Sequence, residues 1–336
     1  MRVLFLLLLI GCAPMAHASC RMDAPVRLAD VGPVTLAYQD VGDPRNPALL
    51  LLMGLGGQLT DWPASLLAEL CEQGYRLIRF DNRDSGLTTW RTPPETPWLT
   101  YNLLRYRLGL SVHAPYALQD MAGDALGLMD RLGIERFHVL GASLGGMVAQ
   151  HLAVMAPSRV DSLTLLMSSS GADDLPPPQE GLRTLMTSRD LPSREEAIER
   201  QVALLAALGS PRYPAEQLEL RRAVERSFER AYRPDGIERQ ILAVLADGNR
   251  EPMLATLRPP VEVIHGTDDP LLPVEHGIRL AESIPGARLT LIDGLAHRYQ
   301  SAFRQPLLNA ILANLQRSAT QGGLAHANGD RVQTGG

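Results

Sequence analysis

Gly141-Ala142-Ser143-Leu144-Gly145 sets a serine between glycines in a G-x-S-x-G pattern. Such a serine can occupy a sharp turn between a strand and a helix, which only small neighbours permit, and present its hydroxyl for attack on a carbonyl. The pattern alone is a weak signal. Its setting strengthens it: Phe137–Leu140 reads as a strand immediately before, and Met147–Met155 as a helix immediately after. Ser143 is therefore expected at the carboxyl end of a strand and at a helix N-terminus, where ligands collect in parallel sheets.

A serine nucleophile needs a base, and the base needs a carboxylate to orient it. His265-Gly266-Thr267-Asp268-Asp269-Pro270 directly follows a strand and offers Asp268 and Asp269 as rival carboxylates. Gly294-Leu295-Ala296-His297 follows the last strand, and His297 can reach back over the sheet edge as the base. His276 falls inside a helical pattern from Val274 to Ile284 and is expected to point away. His138 and His151 precede the carboxylates and read as structural, and His326 lies near the end of the chain. Acyl transfer also needs donors for an oxyanion. The backbone N–H of Leu144 is one candidate. The loop Met53-Gly54-Leu55-Gly56-Gly57 supplies the other, with Leu55 N–H preferred and Gly54 as the fallback. These parts fit a two-step cleavage of a carboxylic ester through an acyl-enzyme.

The elements that must position these residues alternate. Strands are expected at Val34–Gln39, Ala48–Met53, Tyr75–Phe80, Phe137–Leu140, Leu163–Met167, Val261–His265 and Leu289–Ile292. Met121, Ala125, Leu128 and Leu132 recur at helical spacing, with Gly133 as the stop. Strand and helix in alternation imply an α/β fold with a mostly parallel, doubly wound sheet. The alternation breaks between Met167 and Val261. Pro176-Pro177-Pro178 opens this stretch, and three helical patterns follow, the first with a capping box at Ser193 and Glu196. An inserted helical cap is the expectation. The resulting division is a leader at 1–18, a core at 25–170 and 258–316, a cap at 171–257 and a disordered tail at 317–336.

The leader has Arg2, an apolar run from Val3 to Ile10, and Ala16-His17-Ala18 ahead of Ser19, the pattern of a secretory signal peptide. A periplasmic or secreted protein is expected. Leu9-Ile10-Gly11-Cys12 resembles a lipobox, so a lipoprotein anchored at an acylated Cys12 is the alternative. Cleavage at Ala18 leaves Cys20 and Cys71, either as a disulfide or as two thiols. The 336 residues are 45% apolar and 21% charged, with a net charge of −5, which is ordinary globular composition with no basic stripe for nucleic acid. No run is long enough for a membrane-spanning helix. Asp81, Arg83 and Asp84 read as braces of a loop beside the site. Trp90, Trp98, Tyr101 and Tyr106 either line an acyl pocket or anchor their loop, and Met186 and Met253 read as gap-filling core.

Five stretches carry a family resemblance: Leu51–Gly56, Phe80–Gly86, Gly141–Gly146, His265–Pro270 and Gly294–His297. With them the chain, from about residue 25 to 315, resembles α/β-hydrolase fold proteins, and more narrowly the aclacinomycin methylesterase-type esterases. The resemblance implies carboxylic-ester hydrolysis of a small molecule, with neither metal nor organic cofactor. It favours Asp269 over Asp268 as the acid. Many relatives carry His-Gly where this chain has Met53-Gly54, so the oxyanion loop is expected to be held differently here. The same triad could serve a lactonase, a peptidase or a perhydrolase. Outside enzymes, the rival is a binding protein on a hydrolase scaffold, against which an intact Ser, Asp and His in order argues.

Overall fold

The computed structural model describes residues 20–182 and 193–317. The leader, Cys12, Met186, His326 and all but the first residue of the expected tail lie outside the described residues.

Leucine and β-branched residues dominate the central strands because both faces of those strands are covered. Nine strands form one sheet: β1 (Arg27–Asp30), β2 (Val34–Val41), β3 (Ala48–Leu52), β4 (Arg76–Phe80), β5 (Thr89–Trp90), β6 (Phe137–Ala142), β7 (Val160–Leu166), β8 (Val261–Gly266) and β9 (Arg288–Ile292). Their order is β1-β2-β4-β3-β6-β7-β8-β9, with β5 paired to β2. From β4 to β9 every pairing is parallel; β1, β2 and β5 are joined antiparallel at one edge. The short strands β1 and β5 were not among those expected, since neither has an apolar run of its own. They pair with β2, and each sets only one side chain, Ala29 or Trp90, against the first core.

Alternation along a strand sends neighbouring side chains to opposite faces. In β3, Leu50 and Leu52 join one core, and Leu49 and Leu51 the other. The first core is closed by α3 (Leu118–Arg131) through Met121, Ala125 and Leu128, and by α4 (Leu144–Met155) through Val148 and Leu152. The second is closed by α1 (Ala64–Glu72) through Leu66, Leu67 and Leu70, and by the helix at 304–317 through Leu307, Ile311 and Leu315. Helices thus cover both faces, the α/β arrangement anticipated from the pattern.

Between β7 and β8 the described residues form helices rather than strands: α5 (Arg194–Ala207), α6 (Gln217–Arg230), α7 (Pro234–Asp247) and α8 (Glu251–Leu254). Ser193 caps α5 by accepting from Glu196 N–H at 3.2 Å, while its hydroxyl donates to the Glu196 carboxylate. Helices α5 and α6 share a small core of Ile198, Val202, Leu220 and Val224. In α8 it is Leu254, fully buried, that fills the core; Met253, expected there, is only half-buried. The proline-rich segment after β5 contains one more helix, α2 (Leu99–Arg107), which begins directly after Trp98. Among the described residues no helix is long and apolar enough to cross a membrane.

Cys20 and Cys71 form a disulfide that ties the chain before β1 to α1. The bridge spans 51 residues of sequence, and in the chain-entropy account a loop of that size restricts the unfolded state by about 4 kcal/mol. Replacing Cys71 by serine is expected to lower the unfolding free energy by up to about that amount in urea titrations. Reducing agent should then leave the variant's midpoint unchanged while lowering that of the parent.

Candidate active site

Because β3, β4, β6, β8 and β9 run parallel, the loops after them open on one edge of the sheet. Ser143 follows β6 and precedes α4, with φ 54° and ψ −121°, a left-handed conformation that a side chain rarely adopts. Two contacts enforce the turn. A Cβ on Gly141 would lie 2.4 Å from the Gly145 carbonyl oxygen, and one on Gly145 would lie 2.1 Å from that of Leu52. The glycines of the motif therefore let the first turn of α4 press against β6 and β3. The Ser143 backbone is fixed on both sides: its N–H donates to Leu166 C=O at 2.9 Å, and its C=O accepts from Gly146 N–H and from the Ser168 hydroxyl.

His297 Nε2 lies 3.0 Å from Ser143 Oγ, and His297 Nδ1 lies 2.7 Å from Asp269 Oδ2. The serine is half-buried, while the other two are buried. The second Asp269 oxygen accepts from Leu271 and Leu272 N–H at 2.9 and 2.8 Å. Burial pushes the Asp269 carboxyl up. The combined pull of His297, His265 and the Leu272 amide outweighs burial and holds it below the usual carboxylate range. The loops bearing the acid and the base are laid across each other by Gly266. A Cβ there would lie 1.9 Å from the Leu295 carbonyl oxygen, and Asp268 N–H donates to that same oxygen at 3.0 Å.

The competing residues have other partners. Asp268 binds Arg212 Nε at 3.0 Å and accepts from the Thr267 hydroxyl at 2.9 Å, so the structure brings Asp269 and not Asp268 to His297. His276 is on a helix, α9 (Val274–Glu282), as the pattern implied. It faces inward, where Ser169 Oγ and Pro176 C=O engage its two ring nitrogens, and burial lowers its pKa. His138 meets Ser162 Oγ and the edge of Tyr75, and His151 meets Asp247. His265, beside Asp269, donates through Nε2 to Leu272 C=O, and burial lowers its pKa.

Leu144 is the first residue of α4, so its N–H has no acceptor one turn back within the helix. Gly54 lies directly against the serine; a Cβ there would be 3.7 Å from Ser143 Oγ. Leu55 follows it, half-buried against the first core. Met53 offers this loop no imidazole, and other side chains hold it. Asn82 Nδ2 donates to Met53 C=O at 3.0 Å. Gln240 Oε1 accepts from Gly56 N–H at 2.8 Å, while its Nε2 donates to Arg83 C=O at 2.8 Å and approaches Ser85 Oγ at 3.1 Å. The Met53 side chain packs over Gly57, where a Cβ would meet its Cγ at 2.5 Å.

The loop after β4 joins this edge to the inserted helices. Asp81 accepts from Leu59 and Leu87 N–H and from Arg230 of α6 at 2.8 Å. Asp84 accepts from Trp90 Nε1, the Tyr116 hydroxyl and Arg239 of α7. Arg83 pairs with Asp124 at 2.6 Å and lies over the Trp90 and Tyr116 rings. These three residues do brace the loop. Trp90 is an anchor, whereas Trp98, Tyr101 and Tyr106 are exposed. Gln240, Asn82, Arg230 and Arg239 were not singled out from sequence. Gln240 carried a readable signal, since it lies three residues after Ile237 on the apolar stripe of α7, where a polar residue needs partners.

Residues 47–300 match the family model described as alpha/beta hydrolase fold. The chain belongs to the alpha/beta hydrolase fold family. Among curated proteins it is similar to rhodomycin D methylesterase DnrP of Streptomyces peucetius, with 29% identity over 88% of this chain and 99% of that protein. A 2-hydroxy-6-oxononadienedioate/2-hydroxy-6-oxononatrienedioate hydrolase of Pseudomonas sp. is 31% identical over 56% of this chain and 67% of that protein. Among solved structures, a hydrolase from Pseudomonas aeruginosa PA01 superposes with a TM-score of 0.65 at 26% identity, covering 88% of this chain and 98% of the other. The likeness to methylesterases expected from the five motifs is thus present over most of the chain.

Replacing Gln240 by leucine is expected to strand Gly56 N–H and Arg83 C=O away from water. Such unpaired groups cost about 1 to 3 kcal/mol each, so a clear fall in unfolding free energy by denaturant titration is the expected outcome. An unchanged midpoint would show that the loop is held by its other contacts.

Proposed function

We propose that the protein is a serine hydrolase of carboxylic esters. Ser143 is the nucleophile, His297 the general base, Asp269 the orienting acid, and the N–H groups of Leu55 and Leu144 the oxyanion donors. The observation that carries this reading is the continuous hydrogen-bonded chain Ser143 Oγ, His297, Asp269 at 3.0 and 2.7 Å. With Nδ1–H donated to Asp269, Nε2 is left to accept the serine proton as Oγ attacks the ester carbonyl. The carbonyl oxygen becomes negative and is met by the two amides, each worth about 3 to 4 kcal/mol to the barrier. His297 then returns the proton to the departing alcohol. Water, activated by the same imidazole, attacks the acyl-enzyme and releases the acid. A methylesterase among the relatives supports an ester of a small molecule as substrate.

We further propose that the protein is exported. The leader composition of residues 1–18 supports this, as does the Cys20–Cys71 bridge, since disulfides persist in oxidising compartments.

Ser143→Ala should lower ester turnover by roughly four to six orders of magnitude and abolish labelling by a fluorophosphonate probe. Asp269→Asn should cost about four orders of magnitude in kcat. Asp268→Asn, which touches Arg212 instead of His297, should leave kcat near that of the parent. Equal losses from the two aspartate variants, or a labelled and active alanine variant, would refute the assignment.

A further inference from the structure

The aromatic segment after β5 turns its apolar residues outward. Helix α2 buries Leu99 and Asn102 and packs on α7 of the inserted helices. Asn102 ties it down at both ends: its Nδ2 donates to Trp98 C=O at 3.1 Å, and its Oδ1 accepts from His113 N–H at 2.8 Å. The helix is thus anchored on its inner face, yet its outer face is apolar as well. Trp98, Tyr101, Leu104 and Leu108 follow one another three or four residues apart, the spacing of a single helical face, and all four are exposed. With Tyr106 and Leu110 they make six of the fifteen large apolar or aromatic side chains that are exposed among the described residues. Scattered exposed residues of this kind need no explanation, but a cluster on one element marks a surface that meets something.

Charge says what it meets. No Asp or Glu occurs between Glu95 and Asp120, in a chain with 37 acidic and 32 basic residues. The cations of that stretch are Arg105 and Arg107. Arg105 is fixed beside the apolar face, donating to Ser111 C=O at 2.7 Å and lying over the Tyr101 ring, and Arg107 is exposed. Aromatic rings at the level of lipid headgroups, leucine beneath them and arginine at the rim suit a helix lying in a membrane interface, where each cation is drawn to anionic lipid. A second copy of the chain fits less well. Nine helical residues make a strip about 14 Å long and about 11 Å wide, far short of the area of about 800 Å² that a stable protein interface covers on each partner. A lipid surface requires no matching shape.

We propose that the outer face of α2 docks on an anionic lipid surface, with Trp98, Leu104 and Leu108 inserted below the headgroups and Arg105 and Arg107 beside their phosphates. Docking does not depend on the ester-hydrolase reading.

Trp98 is its own reporter, since of the three tryptophans Trp62 is buried and Trp90 half-buried. The full-length protein is titrated with vesicles of equimolar phosphatidylcholine and phosphatidylglycerol, and with vesicles of phosphatidylcholine alone, while tryptophan emission is recorded. The apolar run at 3–10 is common to every variant, so differences between variants report on α2. Emission of the parent should move to the blue on the mixed vesicles at a lower lipid concentration than on phosphatidylcholine, and Trp98→Phe should abolish the shift. Leu104→Asp should raise the lipid concentration at half-shift by about tenfold or more. Arg107→Gln should raise it roughly fivefold on the mixed vesicles and leave it unchanged on phosphatidylcholine. Both substitutions are at exposed positions and should leave the melting temperature without lipid unchanged. No shift in the parent, a shift retained in Trp98→Phe, or Leu104→Asp titrating like the parent overturns the docking. Equal titration on the two vesicle types overturns the anionic preference. A parent that shows no shift and sediments as a dimer dispersed by Leu104→Asp also overturns the proposal, and assigns the face to a second copy.

Discussion

The close approach of α4 to β3 and β6 is the constraint on which the site depends. Helix and sheet meet with backbone against backbone, because Gly141 and Gly145 place hydrogen where any other residue would place carbon. The approach forces the intervening residue into a left-handed conformation, and Ser143 occupies it at φ 54°. A non-glycine residue held there costs of order 1 to 3 kcal/mol, which the surrounding packing must offset. Two buried apolar cores supply that packing, one on each face of the sheet. In return, the strain puts the hydroxyl clear of the helix, with the first amides of α4 beside it.

Parallel pairing then does the remaining assembly. Parallel pairing from β4 to β9 ends six strands on one edge, so residues separated by more than a hundred positions meet without a long-range design of their own. His297 and Asp269 belong to adjacent loops, after β9 and β8, and the crossing at Gly266 brings one over the other. Asp268 and Asp269 are adjacent in sequence, yet only one faces the imidazole. The Asp268 carboxylate is drawn to Arg212, and Asp269 is capped by the amides of Leu271 and Leu272.

Much of this was legible before any coordinates. The central strands declare themselves as unbroken apolar runs, because burial on both faces leaves no alternation to read. The glycine pattern, the order of serine, carboxylate and histidine, and the capping serine at 193 are local chemistry. Choosing Asp269 needed family spacing, since two neighbouring carboxylates are equivalent in sequence. The edge strands β1 and β5 stayed hidden because their partner β2 defines them. The aromatic segment divides in a way composition does not reveal: Trp90 is tied down by Asp84 and Arg83, while Trp98 remains exposed. The polar seam between α6, α7 and the core was equally invisible, being made of pairs 143 to 184 residues apart.

That seam explains how a loop built on Met53 and glycines keeps its shape. Buried ion pairs such as Asp81 with Arg230 and Asp84 with Arg239 add little net stability, because desolvation offsets their attraction. What they supply is register. Each fixes an inserted helix against the loop after β4 in one geometry, and a shift of either helix would leave a buried carboxylate unpaired. Gly236 shows how close the fit is, since a Cβ on it would lie 2.3 Å from the Asp84 carbonyl oxygen. With α7 so located, Gln240 can hold Gly56 N–H and Arg83 C=O at the same time. The inserted helices therefore form part of the scaffold of the glycine loop, which is held by a residue nearly two hundred positions away, at 240.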